Sequence, residues 1–195
     1  MVAPRSTREP CSIVKILIFI GSLRSDSFSR KLARAAQDVA PENAAFQSTD
    51  GRELPLYDQD LDGEEKPAAV AELLEGIGGS EALLFITPEF NYGIPGPLKN
   101  AIDWASRPAY RSPLKDKASL VISHSIAPTG GARAEFQLAS VLKGSATPTF
   151  VGPGFSIPAI HEKFDTSGAL IDDMTRLRLS KTLEDFCSLA EARKD

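Results

Sequence analysis

The sequence predicts an α/β fold, an open, doubly wound parallel sheet with helices on both faces. Three observations lead there. Short, nearly unbroken runs of β-branched and aromatic residues read as strands buried on both sides. Segments with apolar residues at helical spacing alternate with those runs, which is the signature of right-handed strand–helix–strand crossovers. The loops after the first, third and fourth strands are also unusually rich in Ser, Gly and Pro. Ligands in such sheets bind at the carboxyl ends of the strands, beside the switch point, so these three loops should share one crevice.

The elements follow in order. From Ile13 the chain leads into KILIFIG, Lys15 to Gly21, a buried strand closed by Gly21. Phe28, Leu32, Ala35, Ala36 and Val39 then fall on one helical face behind Ser25, Asp26 and Ser27 as candidate caps, and Pro41 ends the helix. Ala45 to Asp50 form a weak second strand, and Gly51 to Lys66 a long surface connection. Pro67 suits a first helical turn, Val70, Leu73, Leu74 and Ile77 give the buried face, and Gly78-Gly79 stops the helix. Ala82 to Thr87 make the third strand. A helix entered through Pro95 and Pro97 carries Leu98, Ala101, Ile102 and Ala105, and Ala118 to Ser123 form the fourth strand. Gly130-Gly131 precede a helix with Phe136, Leu138, Ala139 and Leu142. A short strand is expected near Thr149 to Val151, and Met174 to Ala190 form a final amphipathic helix.

A chain of 195 residues suits one domain, here residues 13–195 behind a mobile tail at 1–12 that has no hydrophobic period. With 42% hydrophobic and 25% charged residues the composition is that of an ordinary globular protein. The formal charge of −4 lacks the basic excess of a nucleic-acid module, so no nucleic-acid partner is expected. Cys11 and Cys187 cannot build a disulfide framework or a cysteine metal site, and the longest early apolar run, Ile16 to Ile20, is too short for a signal or membrane segment. A cytoplasmic location and no membrane contact are the expectation.

The first loop, GSLRSDSFSR from Gly21 to Arg30, combines a tight turn, the hydroxyls of Ser22, Ser25, Ser27 and Ser29, the forked cation of Arg24 and the free N–H groups of a helix start. These are the parts of a phosphate cradle. Serines alone would serve equally as helix caps, but their place after the first strand favours phosphate. The loop lacks the later glycines of the dinucleotide fingerprint and the Gly-Lys-Ser/Thr ending of a P-loop, which leaves a mononucleotide. The second loop, TPEFNYGIPGPLKNAIDW from Thr87 to Trp104, is stiffened by Pro88, Gly93, Pro95, Gly96 and Pro97 and carries Glu89, Phe90, Asn91 and Tyr92 at its tip. Its backbone suits the polar edge of a planar ring. The third loop, HSIAPTGGAR from His124 to Arg133, could line the ring's other side. His124 and His161 each lack a second ligand or triad partner, and such histidines are more often structural.

At GSLRSDSFSRKLARA, TPEFNYGIPGPLKNAIDW and GGARAEF the sequence resembles the NADPH-dependent FMN reductase family, flavodoxin-like quinone, chromate and azo-dye reductases, from about Lys15 into the last helix. The resemblance implies a five-stranded flavodoxin-like sheet holding FMN without a covalent bond. It places the phosphate on Ser22, Arg24, Ser27 and Ser29, the ring edge against Pro88, Glu89, Phe90 and Asn91, and Ser125, Gly130 and Gly131 beside the ring. Two positions depart from the family pattern, with Ser29 where Asn is common and Phe90 where Tyr is common. The resemblance also implies NADPH or NADH as co-substrate, a small-molecule electron acceptor, ping-pong turnover, no metal and no side-chain acid or base. It further implies a homodimer or homotetramer with Trp104 and Arg107 near the subunit boundary, while Arg111 or Arg133 could meet a 2′-phosphate. An electron carrier of flavodoxin type and a cofactor-free interaction module are the alternatives.

Overall fold

A computed structural model describes residues 12–150 and 154–193. The expected tail at 1–12 falls almost wholly outside them, as does Cys11. Strand β1 (Val14–Ile20) leads through helix α1 (Phe28–Val39) to β2 (Ala44–Thr49), and α2 (Ala68–Gly78) leads to β3 (Ala82–Pro88). Helix α3 (Gly96–Ala105), β4 (Ala118–His124), α4 (Ala132–Gly144), β5 (Ser156–Ile157) and α5 (Asp173–Ala192) complete the chain. The strands lie in the order β2-β1-β3-β4-β5, and every pairing is parallel. This is the flavodoxin-like arrangement with its switch point between β1 and β3.

Alternation along the strands sorts the core into two layers. Ile16, Ile18, Ile20, Leu84, Ile86, Leu120 and Ile122 face one way, onto Leu32, Ala35 and Ala36 of α1 and Leu179, Leu183 and Phe186 of α5. Leu17, Phe19, Leu83, Phe85 and Val121 face the other, onto Val70, Leu73 and Ile77 of α2, Leu98, Ile102 and Trp104 of α3, and Leu138 and Leu142 of α4. Phe19 and Phe85 stack across β1 and β3 with centroids 4.6 Å apart. Helix starts follow the expected chemistry: Ser27 caps α1 through the Arg30 N–H, and Asp172 caps α5 through the Thr175 N–H.

The fifth strand lies further along than the residue pattern indicates. Thr149 makes one isolated parallel bridge to Ser119, and the Phe150 N–H donates to the Ser119 carbonyl at 2.6 Å. The ladder strand itself is Ser156–Ile157, which pairs with Ser123 and His124 at the far end of β4. Two residues between Gly154 and Pro158 carry no period to detect, and Pro158 cannot donate to a longer ladder.

Trp104 of α3 anchors the long connection before it. Its side chain is wholly buried, and its Nε1–H donates to the Pro55 carbonyl at 2.8 Å while the Tyr57 ring packs edge-on against it. Asn100 donates to the same carbonyl and accepts from the Tyr57 N–H, each at 2.8 Å. The long connection at 51–66 is thus pinned to α3. Arg107 stays partly exposed and pairs with Asp62, whose carboxyl is held below its ordinary range first by Lys66 and then by Arg107 itself.

Candidate flavin site

The strand ends bring the three loops together at the switch point. Gly21 sits where β1 leaves the sheet, and its N–H donates to the Ile86 carbonyl at 2.7 Å. A Cβ there would lie 2.9 Å from that carbonyl oxygen and 3.0 Å from the Thr87 Cα, so glycine is required by the close approach of β1 to β3. The loop that follows is held from the outside by arginines. Arg52 donates to the Leu23 carbonyl, Arg30 donates to the Arg24 carbonyl at 3.1 Å, and Asp50 at the end of β2 pairs with both guanidiniums.

With carbonyls of the loop taken up this way, the backbone N–H groups of residues 22 to 29 have no protein partner among the described residues. The buried Ser22, the cap Ser27 and the exposed Arg24 stand along the same stretch, ahead of the N-terminal dipole of α1. Convergent N–H groups, hydroxyls and one forked cation fit a phosphate monoester. Ser29 is fully buried, and its Oγ is hydrogen-bonded to His124 Nε2 at 2.8 Å.

The second loop is a tight two-residue hairpin. Phe90 and Gly93 exchange N–H···O bonds of 2.9 Å, with Asn91 at φ +46° and Tyr92 at φ +68° between them. Left-handed backbone costs a non-glycine residue roughly 1 kcal/mol or more, and α4 supplies the restraint. Gln137 Oε1 accepts from the Ile94 N–H at 2.7 Å, and the Arg133 guanidinium lies 4.2 Å from the Tyr92 ring centroid. Glu89, expected at the ring edge, turns to the third loop: its carboxylate accepts from the Arg133 backbone N–H at 3.1 Å and from the Arg133 guanidinium at 3.2 Å. Pro88 is buried at the end of β3, whereas Phe90 and Asn91 are exposed at the tip.

In the third loop Ser125 Oγ accepts from the Ala127 N–H at 3.1 Å, which makes it a turn residue. Gly130 and Gly131 are buried with φ +62° and +85°, and a Cβ on Gly131 would lie 3.0 Å from the His124 carbonyl oxygen. These two glycines let the loop fold back onto the ends of β4 and β5. Ser123 and Ser156 hydrogen-bond at 3.0 Å, and Ser156 donates to Glu135 in the first turn of α4. Residue patterns could not reveal these contacts, because each joins positions far apart in the chain.

His124 closes β4 beneath all three loops. Burial pushes its imidazole down to about 4, so the ring is neutral at ordinary pH. His161 is exposed beside Glu162, next to Ile160, whose N–H donates to the Ser125 carbonyl at 3.1 Å. No group of His, Cys, Asp and Glu among the described residues could hold a metal ion.

A phosphate cradle at a β1/β3 switch point, faced by two stiff loops across the strand ends, defines a flavodoxin-like mononucleotide-binding protein. Residues 14–162 match the NADPH-dependent FMN reductase family, and the chain belongs to that family of oxidoreductases, with FMN as cofactor and NAD(P)H as co-substrate. It is 37% identical over 176 residues to a quinone reductase of Pseudomonas putida, covering 90% of this chain and 94% of that one. Identity is 33% over 181 residues to a 2-hydroxy-1,4-benzoquinone reductase of a Burkholderia species, covering 93% and 98%. Among solved structures, FerB, a flavoenzyme NAD(P)H:(acceptor) oxidoreductase from Paracoccus denitrificans, superposes with a TM-score of 0.85 at 32% identity over 93% of this chain and 99% of that one.

Proposed function

We propose that the enzyme takes hydride from NADPH or NADH and delivers reducing equivalents to small quinone-like acceptors, with azo compounds and metal oxyanions accepted at the same open site. The observation that carries this reading is that, among the described residues, the backbone N–H groups from Ser22 to Ser29, beside Arg24, have no protein partner, at the end of β1 next to the switch point. The names of the similar quinone reductases point to the acceptor class. Ser22, Arg24, Ser27 and the α1 N-terminus bind the phosphate. The backbone of Pro88, Glu89, Phe90 and Asn91 meets the ring edge, and the Ser125 to Gly131 loop forms the opposite wall.

FMN, when bound, supplies the hydride acceptance and release itself. The protein's share is placement and access. Glu89 and Arg133 lock the two ring loops to each other, and Gln137 and Arg133 hold the strained tip. His124 is buried and neutral, which suits it to support and not to proton delivery. Residues 13–195 act as one domain in the cytoplasm; no described helix is long and apolar enough to cross a membrane. Homodimers or homotetramers would bury the exposed aromatic side chains of Phe90, Tyr92 and Phe136, which border the ring loops.

Purified protein supplied with FMN tests the assignment by absorbance. Anaerobic NADPH or NADH should bleach the flavin band, a quinone should restore it, and initial rates should give the parallel lines of alternating use of one site. A bound flavin that neither nucleotide reduces would point to an electron carrier. Failure to bind FMN at micromolar concentration would remove the flavin site.

A further inference from the structure

His124 touches all three loops. Its imidazole is hydrogen-bonded to Ser29 in the first turn of α1 and meets the Phe28 ring edge-on, with centroids 6.5 Å apart. Its carbonyl accepts from the Glu89 N–H at 3.3 Å, and its backbone lies so close to Gly131 that a Cβ there would come within 3.0 Å. In the sheet it stands between Pro88 of β3 and Ile157 of β5. The other side-chain bonds of residues 22–30 stay within the loop and α1 or run to Asp50 and Arg52 on the β2 side. Among the described residues, Ser29–His124 is therefore the one side-chain hydrogen bond that ties the phosphate cradle to the ring loops.

We propose that His124 is a positioning residue: through Ser29 it fixes the distance between the α1 N-terminus and the ends of β3 and β4, and so sets the span that one flavin mononucleotide must bridge from phosphate to ring. This rests on the reading that FMN lies with its phosphate on the first loop. A ligand anchored at both ends gains from two anchors only when their spacing matches its own length. The bond is buried, so water cannot replace it, and loss of either partner leaves the other unsatisfied. A flavin without the phosphate uses only the ring loops and is indifferent to the span. The pair thus predicts a selective effect, on FMN and not on riboflavin.

The test is to titrate FMN and riboflavin separately, following flavin fluorescence, into the wild type, Ser29→Ala, His124→Phe, the double variant, His124→Gln and Arg24→Ala. Each single change at 29 or 124 should raise the FMN dissociation constant about tenfold, as expected for a buried hydrogen bond lost with its partner left unpaired. Riboflavin affinity should stay within about twofold, since its contacts are unchanged. The double variant should lose no more than either single one, and His124→Gln, which keeps a donor and acceptor, should recover most of the loss. Equal losses for FMN and riboflavin, or losses that multiply in the double variant, would show that His124 merely fills space and would overturn the proposal. Arg24→Ala separates the two failures. It should lower FMN affinity alone; an unchanged ratio of FMN to riboflavin affinity there would take the phosphate off the first loop and end the proposal together with the site assignment.

Discussion

Replacing His124 by Gln should flatten the acid limb of the stability curve. The folded protein binds the imidazole proton only near pH 4, because burial opposes the charge, whereas an unfolded chain binds it near 6.5. Between those values the unfolded state holds more protons, so stability rises with pH across this window and falls as the solution is acidified. At about 1.4 kcal/mol for each pH unit of displacement, the wild type should lose roughly 3 kcal/mol between pH 6.5 and 4 through this one group. Asp26, Asp62, Asp165 and Asp172 are all held below their ordinary 3.8, Asp172 at about 2, so what they contribute begins to fade only below about pH 5, and it cancels when wild type and His124→Gln are compared at the same pH. Urea unfolding at half-unit pH steps would read the effect as a midpoint falling by about 1 to 2 M in the wild type. Flavin should be left out, since its own phosphate titrates near pH 6. Curves for wild type and His124→Gln that run parallel from pH 7 to 4 would refute the reasoning.

Gly131→Ala should lower the melting temperature by about 2 to 8 °C, because left-handed backbone alone costs an alanine roughly 1 to 2 kcal/mol and the His124 backbone cannot yield. Gly76→Ala, in the last turn of α2 with only the Leu17 side chain at 3.8 Å, should instead stabilise by up to about 1 kcal/mol in the same scan. Trp104→Phe removes the bond to the Pro55 carbonyl and part of a filled core, at a cost of roughly 2 to 3 kcal/mol in chemical denaturation, with faster amide exchange over residues 51–58 as its local mark. Glu89→Gln should change global stability by less than about 1 kcal/mol, since Arg133 is half exposed, whereas Glu89→Ala should expose the 89–94 hairpin to proteolysis by uncoupling it from α4.

Strands β1, β3 and β4 were legible because both of their faces are buried, which leaves an unbroken apolar run in the residue order. Helix α1 was legible because candidate caps at Ser25, Asp26 and Ser27 and the stop at Pro41 bracket a clean apolar face, with Ser27 the cap in the fold. What a one-dimensional pattern cannot carry is a pairing between distant positions. Residues 29 and 124 meet across 95 positions, and neither is unusual alone, so their bond has no mark in the residue order. Glu89 and Arg133 meet across 44 positions in the same unmarked way. The hairpin at Asn91-Tyr92 was hidden differently. Both residues adopt left-handed backbone without glycine, and the restraint that makes this affordable, Gln137 with Arg133, lies on another helix.

The two-residue length of β5, followed at once by Pro158, has a consequence for how the protein behaves when crowded or partly unfolded. Among the described residues that margin has a two-residue ladder strand and an isolated bridge at Thr149, a poor template for another chain, whereas β2 at the opposite edge of the sheet runs six residues. Cross-molecular strand addition, the first step toward fibrous aggregates, is thereby directed to a single side of the molecule, and a lysine or proline introduced on β2 would be the natural guard against it.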